Sequence, residues 1–344
     1  MTVRNRNPGF MFSRPIMPAM GVHRHKSAGG TIRVGISGWT YAPWRGTFYP
    51  KKLAQKNELA FASAMLPSIE INGTFYRLQR PENFAAWHEQ TPEGFVFSVK
   101  APRFITHMRR LRDVETPMAN FLLSGVLRLN EKLGPILWQC PPNMRFEPDV
   151  FEAFLGQLPR STKDAARLLK YCDARVNGRT WAKIDRDRPM RHAVEIRHES
   201  FATDAFARLL RKHGVAMVTA DTAGKWPMMH DITADFVYLR LHGAEELYAS
   251  GYTDTALDDW ADKVRAWAMG GDIPSARRVG PAARKRAKRD LYVYFDNDVK
   301  VRAPFDAARL AVKLGLRDQP LEEAERAHIK EVPDTQWHVN SSGI

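Results

Sequence analysis

The stretch DFVYLRLHG, residues 235–243, alternates strictly: Val237, Leu239 and Leu241 fall on one parity, and Tyr238, Arg240 and His242 on the other. Successive side chains of a β-strand point to opposite faces. This segment therefore shows an aliphatic row to one layer of the protein and a polar, charged row to another. Seven other short apolar runs share its length: RVGISGW at 33–39, SIEINGTFY at 68–76, FVFSVK at 95–100, PILWQC at 135–140, AVEIRH at 193–198, VAMVTAD at 215–221 and LYVYFDN at 291–297. Each is the size of a buried strand.

Amphipathic segments lie between the runs. Residues 255–268 open with Thr255 and Asp258, a capping-box spacing, and continue with Leu257, Trp260, Val264 and Trp267 at helical intervals. Residues 203–213 carry Phe206, Leu209 and Leu210 and stop at Gly214; residues 116–133 stop in the same way at Gly134. Strands alternating with helices, eight times over, predict a (β/α)8 TIM barrel. A doubly wound sheet competes, but GISGW lacks the Gly-x-Gly-x-x-Gly turn that such a sheet places after its first strand. Two stretches interrupt the rhythm: a βα-loop insertion at 161–190 and a basic αβ-loop insertion at 270–289. The domain boundaries follow: a flexible basic arm over 1–30, one barrel over 31–315, and a C-terminal extension over 316–344.

Parity also sorts the polar residues. Glu70 and Asn72 share one face of their run, as do Ser98 and Lys100, Glu195 and Arg197, and Tyr238, Arg240 and His242. These rows are expected to point into the barrel and rise to its C-terminal mouth, with Asp221 closing the sixth run. Charges buried there need partners, so a purely structural salt-bridge network is one reading. The functional reading makes Arg197 and Arg240 a clamp for a carboxylate or phosphate. Glu195 then serves as base, Asp221 and His242 as further proton carriers, and Lys100 as a partner for developing negative charge. Trp39, with Tyr41, Trp44, Phe48 and Tyr49, is expected either to wall the ligand or to pack a long loop. Tyr76 and His107 extend the binding rim, with Arg103.

The 344 residues carry 52 Lys plus Arg against 38 Asp plus Glu, a net charge of +14. Residues 1–30 supply five of the bases and no acid; residues 277–289 supply seven and no acid. The body itself is nearly neutral, and the two basic segments are expected on the N-terminal face, opposite the pocket. They suggest a second function class, nucleic-acid association through phosphate neutralisation. A non-catalytic, metabolite-binding barrel is the third. No apolar stretch reaches the roughly 20 residues that span a bilayer, and the arm lacks the apolar core of a secretory signal. Two cysteines, Cys140 and Cys172, give no disulfide framework and fit a reducing, cytoplasmic setting. Histidines 107, 198 and 242 could approach acids at the mouth but lack metal-ligand spacing, so no cofactor is expected and a divalent metal is kept only as the minor alternative.

The blocks GISGWTYAPWRGTFYP at 35–50, EINGTFYRL at 70–78, FSVKAPRFITHMRRL at 97–111, QCPP at 139–142, VEIRHESF at 194–201, YLRLHG at 238–243 and YVYFDNDVKVRAPFDAARL at 292–310 resemble, in order, the YecE-like TIM-barrel family of unknown function. The resemblance implies a barrel with its polar cluster on the strand ends. It carries over Glu70, Asn72, Lys100, Gln139, Glu195, Arg197, Arg240 and His242 as motif positions, without a reaction. Its last motif usually reads Asn-Asn-Asp; here it is Asp296-Asn297-Asp298, with Asp306 where asparagine is frequent. Gln139 and Asn297 join Asn72 as expected ligand-binding amides. The leading expectation is an enzyme, a hydrolase, lyase or isomerase, acting by general acid/base chemistry on a small anionic molecule.

Overall fold

The computed structural model describes residues 29–274 and 276–321. Strands β1 (Ile32–Ser37), β2 (Ser68–Ile71), β3 (Val96–Lys100), β4 (Leu133–Gln139), β5 (His192–Glu195), β6 (Ala216–Asp221), β7 (Phe236–Leu241) and β8 (Asp290–Phe295) pair in sequence order. All pairs are parallel, and β8 returns to β1 to close the barrel. The helices are α1 (Glu58–Met65), α2 (Gly73–Tyr76), α3 (Pro81–Gln90), α4 (Glu115–Leu123), α5 (Pro148–Gln157), α6 (Thr162–Ala166), α7 (Asp204–His213), α8 (Asp254–Ala268) and α9 (Ala303–Lys313).

Strand parity divides the apolar residues into two layers. Val34, Ile36, Ile69, Val99, Leu239 and Val293 face outward and join the helices in the larger core. Leu137, Ala193, Val218, Phe236, Tyr238 and Tyr294 fill the interior. The alanines of β5 and β6 leave room for the tyrosines of β7 and β8. Arg191 ties the N-terminal end together, bonding Asp290 at 2.8 Å and Asp235 at 3.3 Å.

Local signals hold with two corrections. Helix α7 is capped by Thr203, which accepts from Phe206 N, and ends on Gly214 at φ 61°. Helix α8 is capped by Thr253 rather than Thr255: the Thr253 hydroxyl accepts from Ala256 N, placing Thr255 inside the first turn. Gly134 caps no α-helix: α4 stops at Leu123, the chain turns at Gly125, φ 127°, and a 3-10 helix over Val126–Lys132, capped by Leu133, leads straight into β4. Gly134 lies within β4, where an added Cβ would stand 2.8 Å from the Phe97 carbonyl oxygen.

The insertions also settle differently. Residues 161–190 follow α5, so they belong to the αβ connection and not to a βα loop. They cover α4: Trp181 N donates to Leu123 O at 2.7 Å and Asn120 bonds Asp173 at 2.9 Å. Among the described residues no helix joins β6 to β7. Segment 222–235 runs down that flank, and the 270–289 insertion climbs to meet it. His230 and Arg277 exchange backbone N–H bonds to ring nitrogen and carbonyl at 3.0 and 2.8 Å. Buried Asp231 accepts from Val279 N and Gly280 N. The basic insertion therefore leaves the N-terminal face and is not confined to it. The arm, residues 1–28, lies outside the described residues.

Candidate functional site at the barrel mouth

Arg240 rises from β7 into the centre of the barrel and is fully buried. Its Nε and Nη2 donate to Glu70 at 3.1 and 2.8 Å, Nη1 donates to Glu195 at 2.8 Å, and Nη2 also reaches Asp296 at 2.7 Å. Ser37 and Tyr238 complete Glu70 through hydroxyl donors at 2.5 and 2.6 Å. Gln139 and Arg197 complete Glu195, each at 3.0 Å. Burial raises the affinity of Glu195 for a proton, but Arg240 and then Arg197 outweigh it and hold its carboxyl well below the ordinary range. The same contest, with Arg240 and His242 as the opposing groups, holds Asp296 down.

These contacts correct two expectations. Arg240 has its donors committed to three carboxylates, so it organises the floor and is not an open anion clamp. Glu195 accepts from three side chains and is kept ionised, which makes it a poor base. Glu70 is equally enclosed. His242 is buried, with Nδ1 3.0 Å from Asp296 Oδ2 though not aligned as a hydrogen bond. Burial and then Arg240 lower its proton affinity.

Above the floor the charges are arranged differently. Lys100, at the end of β3, sits with Nζ 4.3 Å from the centre of the Phe75 ring, and its ammonium donates no hydrogen bond to any described residue. Burial, then Arg240, bring its pKa down to about 8. Arg197 lies over the Trp226 ring at 4.1 Å, donates from Nε to Glu195 and from Nη2 to Tyr248 at 3.1 Å, and leaves Nη1 without a partner among the described residues. His107 packs edge-on to Phe75 at 5.1 Å. Burial, then Lys100, Arg197 and Arg103, depress its pKa to about 4. The space beside His107 is therefore cationic.

Arg197 opens onto a cavity of about 540 Å³ lined also by Asp221, Lys225, Trp226, Met228 and Arg277. Asp221 has the opposite parity to Ala220, so it lines this flank and not the barrel interior. It accepts from Tyr252 at 3.1 Å, and burial raises its pKa. Arg277 belongs to the basic insertion, which thus reaches the pocket instead of staying behind it.

The other expected residues divide. Asn72 donates to Ser37 at 2.9 Å and keeps a buried Oδ1 unpartnered at the mouth. Gln139 supports Glu195. Trp39 packs on Trp87 and Phe97 in the outer layer, away from the cluster. Trp44, Phe48 and Tyr49 are likewise buried in packing, which supports the loop-packing reading over a ligand wall. Tyr76 is 69% exposed on the rim. Asn297 turns away, donating to Ser250 O and Asp306. Cys140 is buried, and burial raises its thiol pKa. Among the described residues no three His, Cys, Asp or Glu side chains converge as metal ligands.

Sequence reading missed Ser37, Asp296, Asp298, Phe75, Trp226 and Tyr248. Parity extended along the first strand and one residue past the last would have found Ser37 and Asp296, whereas Asp298 lies in the turn beyond β8. The aromatic supports come from the short helix α2 (Phe75) and from loops (Trp226, Tyr248), where strand parity carries no information.

A family profile described as protein of unknown function DUF72 matches residues 33–330. A stretch of 117 residues is 32% identical to the UPF0759 protein YunF of Bacillus subtilis, covering 32% of this chain and 40% of that protein. A stretch of 94 residues is 34% identical to the UPF0759 protein YecE of Escherichia coli, covering 26% and 34%. These matches span less than half the length of either relative. A DUF72 family protein of Thermotoga maritima has a similar crystal structure, with a TM-score of 0.62 at 24% identity over 83% of this chain and 99% of that one. A second, from Enterococcus faecalis, gives 0.59 at 17% identity over 85% and 98%. Both likenesses are of fold. With the profile spanning the barrel from its first strand, the chain belongs to the DUF72 family.

Proposed function

We propose that the mouth is an active site that binds a small anionic group, a phosphate or carboxylate, and moves a proton on it. The observation that carries this reading is the seating of Lys100 and Arg197. Lys100 is buried and Arg197 half-buried, each is supported by an aromatic ring, and both keep donors that no described carboxylate takes up. A ring face favours a cation without consuming its N–H groups, so these donors are available to an incoming oxyanion. The floor supports the reading by contrast: its acids are neutralised by Arg240, leaving the upper ring cationic. With Glu195 held ionised, Lys100 is the better proton carrier, since a pKa of about 8 allows exchange near neutrality.

Calorimetric titration with inorganic phosphate and with succinate tests the binding step. Lys100→Met and Arg197→Met are each expected to weaken binding by about tenfold or more, as loss of a charge-assisted bond requires. Arg284→Ala, on the exposed insertion, is expected to leave it unchanged. Equal affinity in all four proteins would overturn the reading.

A further inference from the structure

The flank cavity, about 540 Å³, falls in the range of small-molecule pockets, roughly 300–1,000 Å³. The mouth uses one of its residues, Arg197. Two further cations line its wall: Lys225, from the turn after β6, and Arg277, from the basic insertion. Both are held at the backbone and exposed at the side chain. Lys225 N donates to Thr222 O at 3.0 Å, and Trp226 N donates to the buried Thr222 hydroxyl at 3.1 Å. The Trp226 ring then spaces two cations, with the Arg197 guanidinium 4.1 Å and the Lys225 ammonium 5.2 Å from its centre. Arg277 is fixed by its reciprocal bonds with buried His230, at 3.0 and 2.8 Å. Neither the Lys225 ammonium nor the Arg277 guanidinium forms a hydrogen bond or an ion pair among the described residues. The carboxylates on the same wall do not neutralise them: Asp221 accepts from Tyr252 at 3.1 Å, Glu199 is exposed, and neither pairs with Lys225 or Arg277.

We propose that the flank cavity is a second anion subsite and that the ligand of this protein is a small dianion. One acidic group enters the mouth at Lys100 and Arg197; the other, a carboxylate or a phosphate, is held by Lys225 and Arg277. A cavity that shares Arg197 with the mouth and adds two cations without acid partners carries more positive charge than one oxyanion neutralises. Carboxylates and phosphates are the groups that take up such donors, and a guanidinium grips them bidentately. Joining two anions in one molecule makes the second contact intramolecular, which raises affinity beyond that of either group alone. The placement of the first group rests on the anion-binding reading of the mouth; the second does not. The ligand is thereby narrowed to a dicarboxylate, a phosphorylated acid or a bisphosphate, and the basic insertion gains a part in recognising it through Arg277.

Calorimetric titration of the full chain with matched ligand series reads the second subsite. Bisphosphates of the α,ω-diols from ethanediol to hexanediol are compared with alkyl monophosphates of equal length, and dicarboxylates from succinate to suberate with monocarboxylates of equal length. At least one dianion is expected to bind about tenfold or more tighter than its monoanion, and the series that contains it distinguishes phosphate from carboxylate. The Lys225→Met, Arg277→Met double variant is expected to remove that gain; both side chains are exposed, so the fold does not depend on them. No gain in either series, or a gain that survives in the double variant, would overturn the proposal. Lys100→Met keeps the two readings apart. A mouth that binds the first group loses monoanion and dianion affinity alike in this variant, whereas a failed mouth leaves the monoanion unmoved and the dianion gain still answers to Lys225 and Arg277.

Discussion

At the scale of single residues, Arg240 governs the site. It joins Glu70 from β2, Glu195 from β5 and Asp296 from the end of β8 with no exposure to solvent. Such a cluster contributes little net stability when intact, because desolvation of the charges offsets their attraction. Removing one member is a different matter, since it leaves buried charges uncompensated. Arg240→Met is therefore expected to lower unfolding stability by about 3–5 kcal/mol, read from the urea midpoint at constant slope; a loss under 1 kcal/mol would show that the carboxylates find other partners. Glu70, Lys100, Glu195, Arg240 and His242 were legible as an inward set because parity depends only on sequence spacing. Their pairings were not. Glu70 and Arg240 are 170 residues apart, and only the closed barrel register makes them neighbours. Reading Arg240 and Arg197 as equivalent clamps failed for this reason.

Among elements, the eight strands announced themselves because each is a short apolar run with turn chemistry at its ends. The flank between β6 and β7 did not, because a missing helix leaves no periodicity to detect. Its replacement is a pair of irregular segments held by specific polar contacts, with Asp231 as the acceptor that anchors Val279 N and Gly280 N. An amide in that place accepts at one atom only, so Asp231→Asn leaves one backbone donor unsatisfied. Local opening of the insertion is the expected result, with cleavage by trypsin at 284–288 rising by about tenfold while the barrel stays folded. Unchanged cleavage would mean that the insertion is held elsewhere. Arg289 is itself enclosed, donating to Gly271 O and Arg284 O at 2.7 and 2.6 Å. Part of what composition presented as a free basic run is thus structural.

Across the whole molecule, net charge was a poor guide to the site. The excess positive charge sits largely in two segments, whereas the mouth is organised by a few enclosed groups on strand ends and loops. The barrel separates them vertically, with apolar side chains and tyrosines below, Arg240 among its carboxylates above, and Lys100, Arg197 and His107 at the opening. This ordering turns a nearly balanced interior into a cationic entrance. Its most direct test is the titration of Lys100, followed by carbon-13 NMR after reductive methylation, with Lys100→Arg to assign the resonance. Desolvation and Arg240 predict a midpoint near 8, moving upward when inorganic phosphate is added, since a bound anion favours the ammonium. A midpoint near the ordinary lysine value of about 10.4, indifferent to phosphate, would contradict the account.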